Sequence, residues 1–152
     1  MGKPQPASVK KRLEPQPIGK LIATFENFTL PIEEWTHEAH LSTALWYLYT
    51  YSKAEAICRI RSGIITYNHV QGGGNTPSRG YHETITLFWV WVIDNYLQQF
   101  GRDKSFEEVR THFLGSKYAG KHLPMRYYTK KRLMSVEARS QWVEPDRKEW
   151  VW

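Results

Sequence analysis

The chain has 152 residues, one cysteine and a formal net charge of +6 at pH 7, and 14% of its residues are aromatic. This length suits one domain with a hydrophobic core. A single cysteine excludes a disulfide within the chain and favours a reducing compartment. The longest apolar run, ITLFWVWVI at residues 85–93, is too short to span a bilayer, so we expect a soluble, cytoplasmic protein with no membrane partner.

The positive charge is concentrated in two segments. Residues 1–20 contain five basic residues and one acidic residue, and residues 116–140 contain seven basic residues and one acidic residue. Residues 21–115 between them are acidic on balance. Nucleic-acid binding would rest on this charge alone, because the sequence has no helix-turn-helix, zinc-finger or RNA-recognition motif. We therefore favour solvated surface charge over a nucleic-acid partner.

Residues 1–20 include four prolines and few apolar side chains, which is typical of a disordered tail. Ordered structure is expected to begin near Phe25–Leu30. Capping residues, breakers and apolar side chains at spacings of three and four then predict the helices. They place a first helix from Thr36 to Tyr51 and a second from Ser52 to Val70. A third helix is opened by Thr76 and Pro77 and ends at Gly101, and a fourth runs from Ser105 to Gly115. A fifth runs from Pro124 to Met134 and is followed by a single turn over residues 135–142.

No strand-like alternation persists along the chain. The pattern therefore predicts an all-α protein, a single-domain helical bundle of four to five helices. Its domain would cover residues 21–146, between the disordered basic tail at residues 1–20 and a short C-terminal tail at residues 147–152. The third helix, which is apolar almost all round, is expected at the centre of the bundle.

The lengths of these helices bring several polar residues together. The first two helices are joined by so short a link that they must be antiparallel neighbours. The first helix spans about 22 Å at 1.5 Å per residue, and the second is slightly longer. Residues 71–80 form a loop that returns the third helix to the same level. We therefore expect His37, His40 and His82 at one end of the bundle.

Three histidines with carboxylates nearby are candidates for a divalent metal site. His37 and His40 lie one helical turn apart and can ligate one ion, and His82 would complete an open set from a facing helix. Zinc suits three histidines and a water, whereas iron suits two histidines and a carboxylate. Glu38 and Glu83 are then candidate general bases or hydrogen-bond partners of the ligands. The alternative is that the histidines only form hydrogen bonds within the core.

Known metal motifs fit this sequence poorly. The histidines of HEAH are three residues apart, so the segment is not the H-E-x-x-H of zinc proteases. Glu34 and His37 match one E-x-x-H of a di-iron bundle, but no glutamate precedes His82 at that spacing. The GGGN loop has no preceding strand and no following Gly-Lys-Ser/Thr, so we interpret it as a connection and not as a phosphate-binding loop.

Three segments carry a resemblance to known proteins: LPIEEWTHEAHLSTALWYL, GYHETITLFW and RYYTKKRLMSVEARSQWVEPD. They resemble a group of small, mostly uncharacterised bacterial proteins that pair W-T-H-x-x-H-L with G-Y-H-E-T-I-T and carry a later A-R-x-x-W-V-x-P-D pattern. The similarity covers about residues 28–146. The resemblance implies family membership and a bacterial origin, and it implies no activity. It adds Arg126, Tyr128 and Arg139 to the residues of interest.

We expect a polar pocket at the histidine end of the bundle that binds a small molecule. The residues expected to contact the ligand are Trp35, Tyr67, Asn68, Arg79, Tyr81, Arg126 and Tyr128. In the leading hypothesis a divalent metal ion, zinc or iron, is held by the three histidines and takes part in the chemistry. In the alternative the protein is a non-catalytic binding or accessory protein that captures an anionic ligand beside Arg79 or Arg126. The sequence leaves the ligand, the reaction and the oligomeric state open.

Overall fold

The computed structural model describes residues 16–152, whose regular structure consists of α-helices and short 3-10 helical turns. The α-helices are α1 (Ile18–Glu26), α2 (His37–Thr50), α3 (Lys53–Val70), α4 (Glu83–Phe100), α5 (Phe106–Leu114), α6 (Lys130–Leu133) and α7 (Val136–Ser140). The 3-10 turns are Ile32–Glu34, Lys117–Ala119 and Leu123–Arg126. No strand forms within residues 16–152, so the predicted all-α single domain is confirmed, with more helices than expected.

Side-chain caps begin the helices whose starts the sequence predicted correctly. The Thr36 hydroxyl accepts the Ala39 N–H at 3.2 Å at the start of α2, and Ser52 caps α3 in the same way. A complete capping box, in which Ser105 and its partner exchange hydrogen bonds, begins α5. Each cap satisfies a backbone donor that the helix itself leaves without a partner. The bounds of α2, α3 and α5 therefore follow from local sequence.

Helices α2 and α4 share the centre of the molecule. α2 contacts α1, α3, α4 and α5, and α4 contacts α2, α3, α5 and α7. The predicted packing of α2, α3 and α4 as neighbours is confirmed. These two helices contribute more buried hydrophobic side chains to the core than any other helix, among them Leu41, Leu45, Tyr47 and Leu48 from α2, and Phe88, Val90, Val92, Ile93 and Leu97 from α4. Among residues 16–152, no helix combines the length and hydropathy needed to cross a bilayer.

The ordered domain begins earlier in the chain than the sequence predicted. Residues 1–15 of the predicted tail lie outside the described residues, but α1 begins at Ile18, before the expected Phe25–Leu30. Leu21, Ile22 and Phe25 are buried on one face of α1. Their spacings of one helical turn are those of an amphipathic helix. Residues 18–20 therefore belong to the first turn of this helix and not to a tail.

Two other helix predictions were wrong. The third helix does not open at Thr76 and Pro77, because α4 begins at Glu83 with His82 as its N-cap. The predicted fifth helix divides into the 3-10 turn Leu123–Arg126 and the short helix α6.

The C-terminal residues contact α4. Trp150 is half-buried and its ring stacks on Trp91 of α4, with 5.0 Å between the ring centroids. The last residues thus cover part of α4.

The connection from α3 to α4, residues 71–82, is held by one asparagine side chain. The Asn75 carbonyl accepts hydrogen bonds from the Asn68 amide at 3.2 Å and from the Tyr81 N–H at 2.9 Å. Its own amide donates to the Ile65 carbonyl at 2.9 Å. Gly80 has a φ of 86° and lies against Asn75, so a side chain there would be strained and would clash. These contacts position Tyr81 and His82 beside α3.

Candidate functional site

Two adjoining cavities lie in the groove between α2, α3 and α4. The aliphatic cavity, of about 340 Å³, is lined by Leu41, Ala44, Ile60, Ile64, Ile85, Trp89 and Val90, together with His37, His40, Thr86 and Lys121. The second cavity, of about 350 Å³, has a lining that is mostly apolar but includes more polar side chains, and we call it the polar cavity. It is lined by Trp35, His40, Ile64, Asn68, Gly80, Tyr81, His82, Ile85, Thr86, Met134 and Arg139. Because His40, Ile64, Ile85 and Thr86 line both, the two cavities together form one cleft.

His40 stands where the two cavities meet. Its Nδ1–H donates to the Thr36 carbonyl at 2.7 Å, and its ring lies against Trp35 with 3.8 Å between the centroids. His40 is exposed to solvent in the cleft, but neighbouring protein atoms crowd its ring and remove part of its hydration. This partial loss of solvation lowers the pKa of His40, the Thr36 hydrogen bond opposes the shift, and His37 adds to it. At neutral pH, Nε2 is therefore an unprotonated acceptor in the cleft.

Both ring nitrogens of His82 are occupied. Nδ1 accepts the Ile85 N–H at 3.1 Å and so caps α4, while Nε2–H donates to the Leu133 carbonyl at 2.6 Å. These two bonds require the neutral imidazole protonated on Nε2. Burial lowers the pKa of His82, and the positive charge of Arg139 acts in the same direction, against the hydrogen bond to Leu133. In this arrangement neither nitrogen of His82 has a lone pair for a metal ion.

His37 is also engaged with backbone. Its Nε2–H donates to the Ala119 carbonyl at 2.9 Å, and its ring meets the edge of Trp89 with 5.4 Å between the centroids. His40 shares one cavity with His37 and the other with His82, so the three histidines line one cleft as the helix lengths predicted. Within residues 16–152, no three or more His, Cys, Asp or Glu side chains form a group that could hold a metal ion.

The two candidate general bases lie outside the lining of the cleft. Glu83 is paired with Arg61 of α3 through both carboxylate oxygens, and the Tyr81 hydroxyl donates to it. Burial favours a raised pKa, but the hydrogen bonds from Arg61 and Tyr81 and the Arg61 charge outweigh it, so the pKa of Glu83 is lowered. A lowered pKa makes a carboxylate a weaker base. Glu38 is half-buried on α2, where its charge acts on the buried Arg110.

Four predicted contact residues lie away from the cleft. Tyr67 and Tyr128 are fully buried, and their hydroxyls donate to the carbonyls of Leu30 at 2.8 Å and Val143 at 2.9 Å. They are core residues whose polar ends are satisfied by backbone. Arg79 is exposed in the 71–82 loop and lines neither cavity. Arg126 lines a different cavity, formed with the C-terminal residues. The remaining predicted contacts, Trp35, Asn68 and Tyr81, do line the polar cavity.

Lys121, Thr86 and Arg139 line the cleft, although the sequence did not predict any of them as ligand contacts. Lys121 reaches the aliphatic cavity from the segment after α5, and Thr86 lines both cavities from α4. Arg139 of α7, which the resemblance had singled out, lines the polar cavity and donates to the Gly80 carbonyl at 2.9 Å. Ile60 and Ile64 lie one helical turn apart on α3. This spacing does not distinguish a cavity wall from a packed core.

Comparison of the chain with protein-family models, curated proteins and solved structures gave no match. The resemblance of its three segments to a bacterial group therefore stays a resemblance. A function for this chain has to be inferred from the geometry of the cleft itself.

Proposed function

We propose that this protein binds a small amphipathic anion in the cleft between α2, α3 and α4. The observation that carries the proposal is the uneven placement of polar side chains in a mostly apolar cleft: Asn68, Tyr81 and Arg139 line only the polar cavity, whereas aliphatic side chains dominate the other. An apolar group would occupy the aliphatic cavity and an acidic group the polar cavity. The charged lining residues are Arg139 in the polar cavity and Lys121 at the aliphatic cavity, and no Asp or Glu side chain is among the lining residues. A negatively charged ligand is therefore favoured over a positively charged one.

The size and lining of the cleft support a small ligand. Each cavity lies near the lower end of the range of roughly 300–1,000 Å³ found for ligand pockets, at about 340 and 350 Å³. Apolar walls with a few convergent polar groups are the usual composition of such sites. The half-buried Ile64, Ile85 and Trp89 offer the apolar contact. Removing an apolar chain from water at these walls would provide most of the binding free energy.

The polar cavity supplies the groups that would orient the ligand. Arg139 Nη1 donates to the Gly80 and Tyr81 carbonyls, which positions its guanidinium at the cavity wall. Its remaining N–H groups are donors suited to a carboxylate. Asn68, whose amide also donates to Asn75, lines the same cavity. His40 Nε2, an acceptor at the junction, suits a ligand that carries a hydroxyl or N–H between its apolar and acidic parts.

The proposal includes no metal ion and no reaction. His37 and His82 already use a ring N–H to hold backbone carbonyls, and Glu83 is engaged by Arg61. Ligation by all three histidines would require these bonds to break. The proposal is therefore closer to the alternative hypothesis from the sequence, in which the histidines only form hydrogen bonds and the protein captures an anion. It differs in placing the acidic group of the ligand beside Arg139 instead of Arg79 or Arg126.

Thermal unfolding with matched probes tests the proposal. A ligand that binds only the folded state raises the melting temperature by mass action. Decanoate should do so more than decylamine, because the charged side chains that line the cleft are cationic. Ile64→Trp, which fills the wall shared by both cavities, should abolish the shift. Ile65→Trp, at the exposed neighbouring position of α3, is the control and should retain it. Equal shifts with both probes, or an unchanged shift in Ile64→Trp, would overturn the proposal. A shift with zinc alone that His40→Ala removes would favour the metal hypothesis instead.

A further inference from the structure

A third cavity lies on the opposite side of α4 from the cleft. Trp89 lines the cleft, whereas Trp91 and Val92 line this cavity of about 240 Å³. Because successive residues of a helix are separated by about 100°, residues 89 and 91 face opposite directions. The other walls come from the 3-10 turns after α5 and from the last residues of the chain. We call it the C-terminal cavity.

The C-terminal cavity is basic. The side chains of Lys117, Arg126 and Lys148 line it, and no Asp or Glu side chain does. None of these three cations forms an ion pair within residues 16–152. The ammonium groups of Lys117 and Lys148 lie over the rings of Tyr118 and Tyr127, at 5.3 and 5.4 Å from the ring centroids. Three like charges beside one cavity create a positive potential that an anion would relieve.

The remaining walls of the C-terminal cavity are aromatic. Trp152 stacks on Tyr118 with 4.6 Å between the ring centroids and meets Trp91 at 6.1 Å with nearly perpendicular planes. The ring of Tyr127 lies edge-on to Trp91 at 5.7 Å. The Trp152 indole N–H donates to Gln99 of α4, which holds the last residue in place over the cavity. Trp152 is 41% exposed, so its ring keeps surface that a planar ligand can contact.

We infer that the C-terminal cavity binds a nucleotide, a planar aromatic ring that carries a phosphate. Proteins recognise nucleotides and single strands with cations that bind the phosphate and aromatic rings on which the base stacks. The C-terminal cavity combines these two kinds of group. The volume of about 240 Å³ lies below the roughly 300–1,000 Å³ of ordinary ligand pockets. This size suits one nucleotide and not a dinucleotide cofactor. The nucleotide would be either free in solution or one unit of a single strand, and the two sources share this chemistry.

Calorimetric titration of the full chain tests the inference. The probes are adenosine monophosphate, adenosine, inorganic phosphate and an oligothymidylate. We expect adenosine monophosphate to bind at least about tenfold more tightly than adenosine or phosphate alone, since stacking and charge both contribute. An oligothymidylate that displaces the mononucleotide would identify a single strand as the source, and one that does not would identify the free nucleotide.

Two variants locate the site. Arg126→Gln and Trp152→Ala should each weaken binding of adenosine monophosphate by about tenfold, from loss of a charged donor and of a stacking ring. Lys131→Gln, which neutralises an exposed cation of α6 outside the cavity, is the control and should leave binding unchanged. Both Arg126 and Trp152 are exposed, so the folded state should persist, as circular dichroism would verify. Phosphate binding as tightly as the nucleotide, no nucleotide binding, or equal binding by all three variants would each overturn the inference.

Discussion

Substitution of His82 tests whether this histidine stabilises the fold through its hydrogen bonds or acts as a metal ligand. In the structure its Nδ1 caps α4 and its Nε2–H satisfies the buried carbonyl of Leu133. His82→Asn places a side-chain oxygen where the Ile85 N–H needs an acceptor, so it keeps the cap and loses only the second bond. His82→Ala loses both. His69→Ala, an exposed histidine in the last turn of α3, is the matched control.

The two bonds set the expected size of the effect. Leaving the Leu133 carbonyl without a donor costs about 1–3 kcal/mol, and losing an N-cap costs about 1 kcal/mol. The free energy of unfolding should therefore fall by about 1–3 kcal/mol in His82→Asn and by about 2–4 kcal/mol in His82→Ala. For a chain of this length, the larger loss lowers the melting temperature by roughly 4–16 °C. His69→Ala should stay within about 0.5 kcal/mol of the original protein.

Urea and thermal unfolding of the three variants, each with and without zinc, provide the assay. We expect the order of stability to be original protein, Asn variant, Ala variant, with no effect of zinc on any of them. If both His82 variants were as stable as the original protein, the two hydrogen bonds would contribute nothing to stability. If zinc stabilised the original protein and neither variant, His82 would be a ligand and the hydrogen-bonded arrangement would be wrong.

Two further predictions concern pH and the helical glycines. Below about pH 6.5, the ordinary pKa of histidine, the unfolded chain binds protons that His82 and His40 exclude in the folded state. Stability should therefore fall between pH 7 and pH 5, and His82→Asn should make that slope shallower in urea unfolding; a slope identical to that of the original protein would contradict the lowered pKa of His82. Gly63→Ala places a Cβ at 2.7 Å from the Phe25 ring and should destabilise by about 1–3 kcal/mol. Gly19→Ala in α1 meets nothing within 4 Å and should stabilise by up to about 1 kcal/mol; similar effects of both alanines would contradict the packing of Phe25 on α3.

The parts of the fold that depend on short-range signals could be predicted from the sequence. Thr36, Ser52 and Ser105 begin their helices through bonds to residues three positions on. The short link between α2 and α3 then determined their antiparallel packing, and the helix lengths brought the histidines to one cleft. Each of these inferences uses only neighbouring residues and the rise of a helix.

The parts that depend on long-range contacts could not be predicted. Histidine is not among the preferred N-caps, so the start of α4 at His82 was missed. Its second bond, to Leu133, joins residues far apart in sequence. The same holds for His37 and its carbonyl partner Ala119. The three histidines were predicted to be metal ligands because their hydrogen-bond partners are backbone groups, which no residue type reveals.

The division of the cleft into two cavities could not be predicted from the sequence either. Ile60 and Ile64 have the spacing of core residues, and only the distance to α4 decides whether they pack or line a cavity. Arg139 and Lys121 reach the cleft from segments that follow α5. Their position depends on how the chain returns across α4, which has no local signal.

The most direct test of the cleft as a binding site is imidazole nitrogen NMR of the histidines during titration with decanoate. Before ligand is added, we predict a neutral His40 protonated on Nδ1 and a neutral His82 protonated on Nε2, as their hydrogen bonds require. On titration, the signals of His40 should shift, while those of the exposed His69 and His112 should not. Saturable decanoate binding that leaves His40 unchanged, or a His82 protonated on both nitrogens at neutral pH, would contradict the proposed site.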